Sequence, residues 1–238
     1  MTCTIVGKGR IGLMLHDLIP NSLLVGRDEV IPADNPIIVA TRCDDLDDVL
    51  QRVPQNARKN LVFVQNGMLY SWLARNHLQD ATQVLLYVAV SHKGAEPVDG
   101  GRTVVTGPLS EYFESIFLKG GLRCTIIDKQ SYQKEVVEKY VWNCGFGLLC
   151  SYFSCSVGDV VTKHREDADA LLWELAQDTA QILQSDIDKA VCERLCAYSL
   201  SIYDYKGAVK EWPWRNGWLW SQKHGTMHTH YLQSLKLV

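Results

Sequence analysis

The residues best able to do chemistry in this chain are Lys139, Asn143 and Glu211, each set in apolar or aromatic surroundings. Lys139 and Asn143 stand four apart in Glu138-Lys139-Tyr-Val-Trp-Asn143-Cys, so on a helix they share a face. A lysine held in an apolar cleft has its charged form disfavoured, which eases proton donation to a developing alkoxide. Glu211 opens the stretch Glu211-Trp-Pro-Trp-Arg-Asn216-Gly217. Taken singly, these two have plainer readings, a snorkelling surface lysine and a solvated loop carboxylate.

A third group lies in Thr4-Ile-Val-Gly7-Lys8-Gly9-Arg10-Ile11-Gly12, a G-x-G-x-x-G placed after an apolar strand and before a helix. In that context Gly7 makes a tight turn and Gly9 lets the backbone approach a pyrophosphate. Gly12 allows close helix–strand packing, with the helix N-terminus facing the anion. The alternative is a strand–turn–helix that binds nothing. The next strand ends Leu23-Leu-Val-Gly-Arg27. An acidic residue there suits the ribose 2′-hydroxyl of NAD, and an arginine the 2′-phosphate of NADP. Asp28 and Glu29 follow at once, so a solvated turn arginine stays open as the other reading. NADP(H) is the favoured cofactor.

The elements that must position these groups follow from apolar patterning. Strands are predicted at 2–6, 23–25, 37–41, 61–64, 84–90, 103–106 and 123–127, several of them unbroken Val/Ile/Leu runs suited to parallel strands covered on both faces. Helices are predicted at 10–18, 44–52, 69–78 and 109–117. This alternation implies an α/β, Rossmann-like doubly wound sheet. Between Arg27 and Pro36 only eight residues remain, enough to run back along a strand but without a covering helix. From about residue 130 helical spacing takes over, at 132–154, 167–183 and 189–203, and the tail ends in a further helix. The expected organisation is residues 1–130 as an NADP(H)-binding domain and 131–238 as a smaller all-α substrate and catalytic domain.

Composition narrows the classes. With 238 residues, 47% hydrophobic and 21% charged, the chain can bury a real core. A net charge of −3 gives no reason to expect nucleic acid or an anionic membrane as partner. No apolar run approaches the roughly 18–20 residues that span a bilayer, and the first one leads straight into the glycine motif, so neither anchor nor signal peptide is expected. The eight cysteines include no C-x-x-C pair. Reduced, buried thiols in a cytoplasmic protein are expected.

In order along the chain, these segments resemble the ketopantoate reductase (2-dehydropantoate 2-reductase) family. The likeness runs through the glycine motif, Gln65-Asn66-Gly67-Met68, and the return Gly100-Gly-Arg-Thr-Val-Val-Thr-Gly107. It continues through Lys139–Asn143, Ser199 twelve residues before Glu211, and Glu211–Gly217. The resemblance implies NADPH-dependent reduction of a small 2-oxo acid, ketopantoate being the nominal substrate. By it Lys139 protonates the carbonyl oxygen and Glu211 holds and tunes that lysine. Asn66 and Asn143 orient cofactor or substrate, Ser199 binds the substrate's polar end, and Arg42 stands where the family has a cofactor-side lysine. The sequence departs from the family where Gly147-Leu148 replaces an asparagine-proline pair, in Gln177-Asp178, and in its shorter length. A non-catalytic NADP(H)-binding sensor or scaffold is the rival.

Other groups carry weaker signals. His224, His228 and His230 lack a nearby carboxylate or cysteine to complete a metal site and are read as surface residues. Trp212, Trp214, Trp218 and Trp220 are read as core packing under the terminal helix, with a ligand platform or homodimer contact as alternatives. The run Asp44-Asp45-Leu-Asp47-Asp48 reads as a helix start favoured by the macrodipole. Ser199 and Ser201 have no G-x-S-x-G elbow, against a hydrolase.

Overall fold

A computed structural model describes residues 3–33, 36–223 and 225–238. The chain divides into two compact units, Met1–Tyr132 and Gln133–Val238.

In the first unit, β1 (Thr4–Val6) lies between β2 (Leu23–Val25) and β3 (Ile37–Val39) and runs parallel to both, with Ile5 opposite Leu24 and Ile38. Parallel strands β4 (Leu61–Phe63) and β5 (Thr82–Leu85) follow. A hairpin of β6 (Val88–Ala89) and β7 (Val98–Asp99) forms a separate small sheet. Then β8 (Val104–Thr106) pairs antiparallel with β5, and β9 (Thr125–Ile126) parallel with β8. The main sheet is ordered β2-β1-β3-β4-β5-β8-β9. Every residue of β1, β3, β4 and β5 is buried, which is why these stretches show no polar alternation.

Helices α1 (Arg10–Leu18), α2 (Leu46–Arg52), α3 (Tyr70–Arg75) and α4 (Ser110–Lys119) accompany the sheet. Ile5, Ile38, Val62, Val84 and Val105 pack with Leu15 of α1 and with Phe113 and Phe117 of α4 in one apolar cluster. The α/β Rossmann-like sheet expected from the alternation is present. Among the described residues no helix joins β2 to β3; the short return is pinned by Arg52, which donates to the carbonyls of Gly26 (2.8 Å) and Glu29 (2.5 Å).

The apolar run 84–90 does not form one strand. Tyr87 leaves the sheet, its N–H donating to Thr103 Oγ1 (2.9 Å) and its carbonyl accepting from Gly100 (2.7 Å). Continuous hydrophobicity does not mark a change of pairing partner, so the break was invisible in the pattern.

The second unit is all-α. It holds α5 (Lys129–Phe153), α6 (Val157–Lys163), α7 (Arg165–Leu183), α8 (Val191–Ser201), α9 (Asn216–Gln222) and α10 (Thr226–Ser234), α5 starting just before the division. Residues 136–141 and 144–150 of α5 are all buried, as suits a helix apolar on every side. A Cβ at Gly145 would sit 2.6 Å from Leu172, so glycine lets α7 pack closely there. The short α6 had no place in the periodicity, yet its start is written in Ser156-Val-Gly-Asp159: the Ser156 hydroxyl accepts from the Asp159 N–H (3.1 Å).

No single helix among the described residues is long and apolar enough to cross a membrane. All eight cysteines are free and seven are buried. Burial pushes the thiols of Cys124 and Cys144 up to about 12 and that of Cys150 to about 11.

Phe113 is fully buried, its ring 6.3 Å from that of Phe117. Phe113→Ala is expected to cost about 3–5 kcal/mol in urea unfolding followed by circular dichroism. A loss below about 1 kcal/mol would contradict the packing described.

Candidate functional site

The first unit contains a groove at the turn after β1, with a volume of about 530 Å³, within the range of small-ligand sites. Two of the three glycines of the turn have a steric reason within the protein. Gly7 adopts φ +119°, and a Cβ there would stand 2.8 Å from the Ala40 carbonyl oxygen. A Cβ on Gly12 would come within 1.8 Å of the Gly7 carbonyl oxygen. A Cβ at Gly9 would meet nothing within 4 Å, so no packing within the protein requires glycine; it leaves the backbone open to the groove. Gly9 is also the N-cap of α1 and offers no side-chain acceptor, so the first helical N–H groups face no cap. These features fit a bound pyrophosphate.

The groove is rich in cations. Lys8, Arg27, Arg42, Arg52 and Lys93 line it, against the carboxylates of Asp45 and Asp48. Lys8 pairs with Glu29 (2.5 Å), whose other oxygen accepts from the Gly26 N–H (2.8 Å). Lys8 first, and then that backbone donor, hold the Glu29 carboxyl below the usual carboxylate range. Both oxygens of Glu29, the second of the two acidic residues after β2, are therefore engaged within the protein. Arg27 and Arg42 instead reach Asp45, at 3.3 and 3.6 Å. Arg10 turns away to donate to the carbonyls of Val90 (3.1 Å) and Ser91 (3.3 Å), leaving its backbone as the part that faces the turn, while Ile11 packs on the apolar cluster.

Gln65 and Asn66 follow β4. Gln65 donates to the carbonyls of Val39 (2.7 Å) and Thr41 (3.1 Å), fixing the end of β3. The Oδ1 of Asn66 is buried with no hydrogen-bond partner among the described residues, as is the Thr41 hydroxyl on the groove wall.

The second constellation belongs wholly to the second unit. Lys139 is buried on α5, at 8% exposure. Asn143, one turn on, donates to the Lys139 carbonyl (2.8 Å), while its Oδ1 is 3.4 Å from the Arg215 guanidinium. That guanidinium also pairs with Glu211 at 2.7 Å. Arg215 thus ties Glu211 to Asn143, and its backbone oxygen accepts from the buried Tyr140 hydroxyl (2.6 Å). Burial is the main cause that holds this tyrosine well above its usual range. Glu211 sits in the left-handed region (φ 46°, ψ 52°), which costs a non-glycine residue about 1 kcal/mol. Such strain persists where surrounding contacts fix it, and often marks a functional position. Sequence reasoning missed Arg215. Its signal was its spacing, four after Glu211 and between two tryptophans.

Other residues lie in packing. Ser199 is fully buried; its hydroxyl donates to the Leu195 carbonyl (2.9 Å) and accepts from the Trp142 indole N–H (2.9 Å). Gly147 stands where the resemblance implies an asparagine-proline pair. A Cβ there would be 3.0 Å from the Ala208 oxygen, so the chain after α8 passes against this glycine. Of Trp212, Trp214, Trp218 and Trp220, only Trp218 is buried, edge-on to Tyr140 at 5.5 Å; the other three are half-buried. The reading of surface histidines is corrected for His228, which is fully buried with its ring nitrogen 3.0 Å from Asn216 Oδ1, while His230 is exposed. His224 lies outside the described residues.

Arg215 and Glu211 keep 11% and 23% of their side chains exposed. Arg215→Met leaves the carboxylate unpaired and is expected to destabilise by about 1–3 kcal/mol in thermal unfolding. Adding Glu211→Gln is expected to recover part of that loss; strict additivity would refute the coupling.

No protein-family model and no curated protein matches the chain. Solved structures do. The 2-dehydropantoate 2-reductase from Methylococcus capsulatus aligns with a TM-score of 0.76 at 12% identity, over 100% of this chain and 96% of that one. Dimeric ketopantoate reductase from Staphylococcus aureus gives 0.75 at 14%, over 100% and 98%. D-mandelate dehydrogenase, solved with NADH, gives 0.72 at 12%, over 100% and 98%. At these identities the likeness is one of fold: this chain folds as the ketopantoate reductases do.

Proposed function

We propose that this protein is an NADP(H)-dependent oxidoreductase reducing a small 2-oxo acid, nominally ketopantoate to pantoate, as a shortened and divergent relative of the ketopantoate reductases. The observation that carries the reading is a buried Lys139 on the same helix face as an Asn143 joined through Arg215 to Glu211. The cation-lined glycine turn of the first unit supports the cofactor, and the fold shared with structures named as reductases of 2-dehydropantoate and a dehydrogenase of D-mandelate supports the reaction class. Free cysteines fit a reducing, cytoplasmic setting. A homodimer is part of the proposal, as in the S. aureus structure.

Lys8, the backbone of Gly9 to Gly12, Arg27, Arg42 and Asn66 would hold the dinucleotide, which supplies a hydride for the 2-oxo carbon. Lys139 would give its proton to the carbonyl oxygen, so that hydride and proton together make the alcohol. Asn143 would orient the substrate by its carboxamide, and Glu211, fixed by Arg215, would set the field at the ammonium. The substrate role implied for Ser199 is not carried forward, because its hydroxyl is buried and serves Trp142 and α8. One observation favours the rival, a non-catalytic NADP(H)-binding protein: the Glu211 carboxylate already holds a guanidinium.

Loss of NADPH absorbance against a panel of 2-oxo acids decides between the two. Lys139→Ala is expected to lower kcat by about 10²–10⁴-fold with NADPH affinity within about twofold of wild type; equal loss of both would remove Lys139 from the chemical step. Gly9→Ala is expected to fold normally, since a Cβ there meets no protein atom within 4 Å, yet to weaken NADPH binding at least about tenfold. Unchanged binding would end the nucleotide reading.

A further inference from the structure

Asp45 ends a 3-10 turn, Cys43–Asp45, that runs directly into α2, and its side chain bonds no N–H of the first turn. One carboxylate oxygen instead lies 3.3 Å from Arg27 and the other 3.6 Å from Arg42. These arginines follow β2 and β3 respectively, both line the groove beside the glycine turn, and both keep about 70% of their side chains exposed (72% and 70%). Two exposed guanidiniums converging on one carboxylate already have the charge geometry of an anion site, with Asp45 in the anion's place. Exposed pairs of this kind contribute little to stability, so the carboxylate gives the arginines up at small cost.

We infer that Asp45 is an internal competitor for Arg27 and Arg42, and that it sets how far the groove distinguishes a 2′-phosphorylated adenosine from a 2′-hydroxyl one. The inference rests on the dinucleotide reading of the groove. With Asp45 ionised, an incoming 2′-phosphate must displace it and then lie beside its negative charge. A ribose 2′-hydroxyl instead gains an acceptor. Asp45 therefore moderates the NADP preference that the arginines impart. Asp48 lines the same groove, 4.0 Å from Arg52, and serves as the control for unspecific charge.

The test is direct binding by calorimetry, independent of turnover, of adenosine 2′,5′-bisphosphate and of 5′-AMP to the full chain. Asp45→Asn keeps the shape and removes the charge, and no cap hydrogen bond is lost with it. It is expected to bind the bisphosphate about tenfold tighter than wild type, equivalent to about 1.4 kcal/mol, with 5′-AMP unchanged or weaker. That gain should shrink as salt is raised, and Asp48→Asn should give less than about twofold. Tightening of both nucleotides alike, an equal effect of Asp48→Asn, or no change would overturn the role of Asp45 while leaving the dinucleotide reading intact. Failure of wild type and variant to bind either nucleotide would overturn both.

Discussion

The backbone that leaves β1 passes through a space that only glycine leaves open. Parallel neighbours on both sides bring the end of β3 against Gly7, and the first turn of α1 lies so close that a Cβ on Gly12 would strike the Gly7 carbonyl. A sheet packed this tightly sets where α1 begins and which way its unpaired N–H groups face. The same parallel register carries the ends of β2 and β3 to the groove, and with them Arg27 and Arg42. The cation-rich character of the site is thus a consequence of strand order, not of local sequence: residues 15 apart in the chain meet around one carboxylate. The return from β2 to β3, which holds no helix among its described residues, is tied down by Arg52 of α2.

In the second unit the corresponding constraint is a largely half-buried polar set packed on an apolar helical core. Asn143, Arg215, Glu211 and the Tyr140 hydroxyl are joined by hydrogen bonds and an ion pair, while Nε of Arg215 is buried with no hydrogen-bond partner among the described residues; breaking such a network is costly. Its members hold Glu211 in a conformation it would not choose alone. Glu138 makes a further tie, accepting from Arg194 of α8 at 3.0 Å. Gly145 and Gly147 do the complementary work by removing side chains where α7 and the chain after α8 must approach α5.

Legibility in the sequence followed the physics of each element. Strands buried on both faces and helices of moderate length announced themselves through hydrophobic runs and spacing, and α1 was found residue for residue. The run 84–90 misled because a strand that ends and a chain that turns to a new partner look alike in hydrophobicity. The short α6 was announced only by its Ser156 cap, a signal independent of periodicity. His228 shows a third kind of gap: in the sequence a buried histidine looks like the exposed His230 two residues on, until Asn216 is found beside its ring.

By itself, then, the sequence determined the α/β sheet with helices to follow, the glycine turn, and the shared face of Lys139 and Asn143, because each depends on residues within a few turns of one another. Tertiary structure alone decided what Arg215 and Asp45 do. A side chain's partner is set by which distant segment packs against it, and the ion pairs that fix Glu211 and gather Arg27 with Arg42 exist only once those segments are in place.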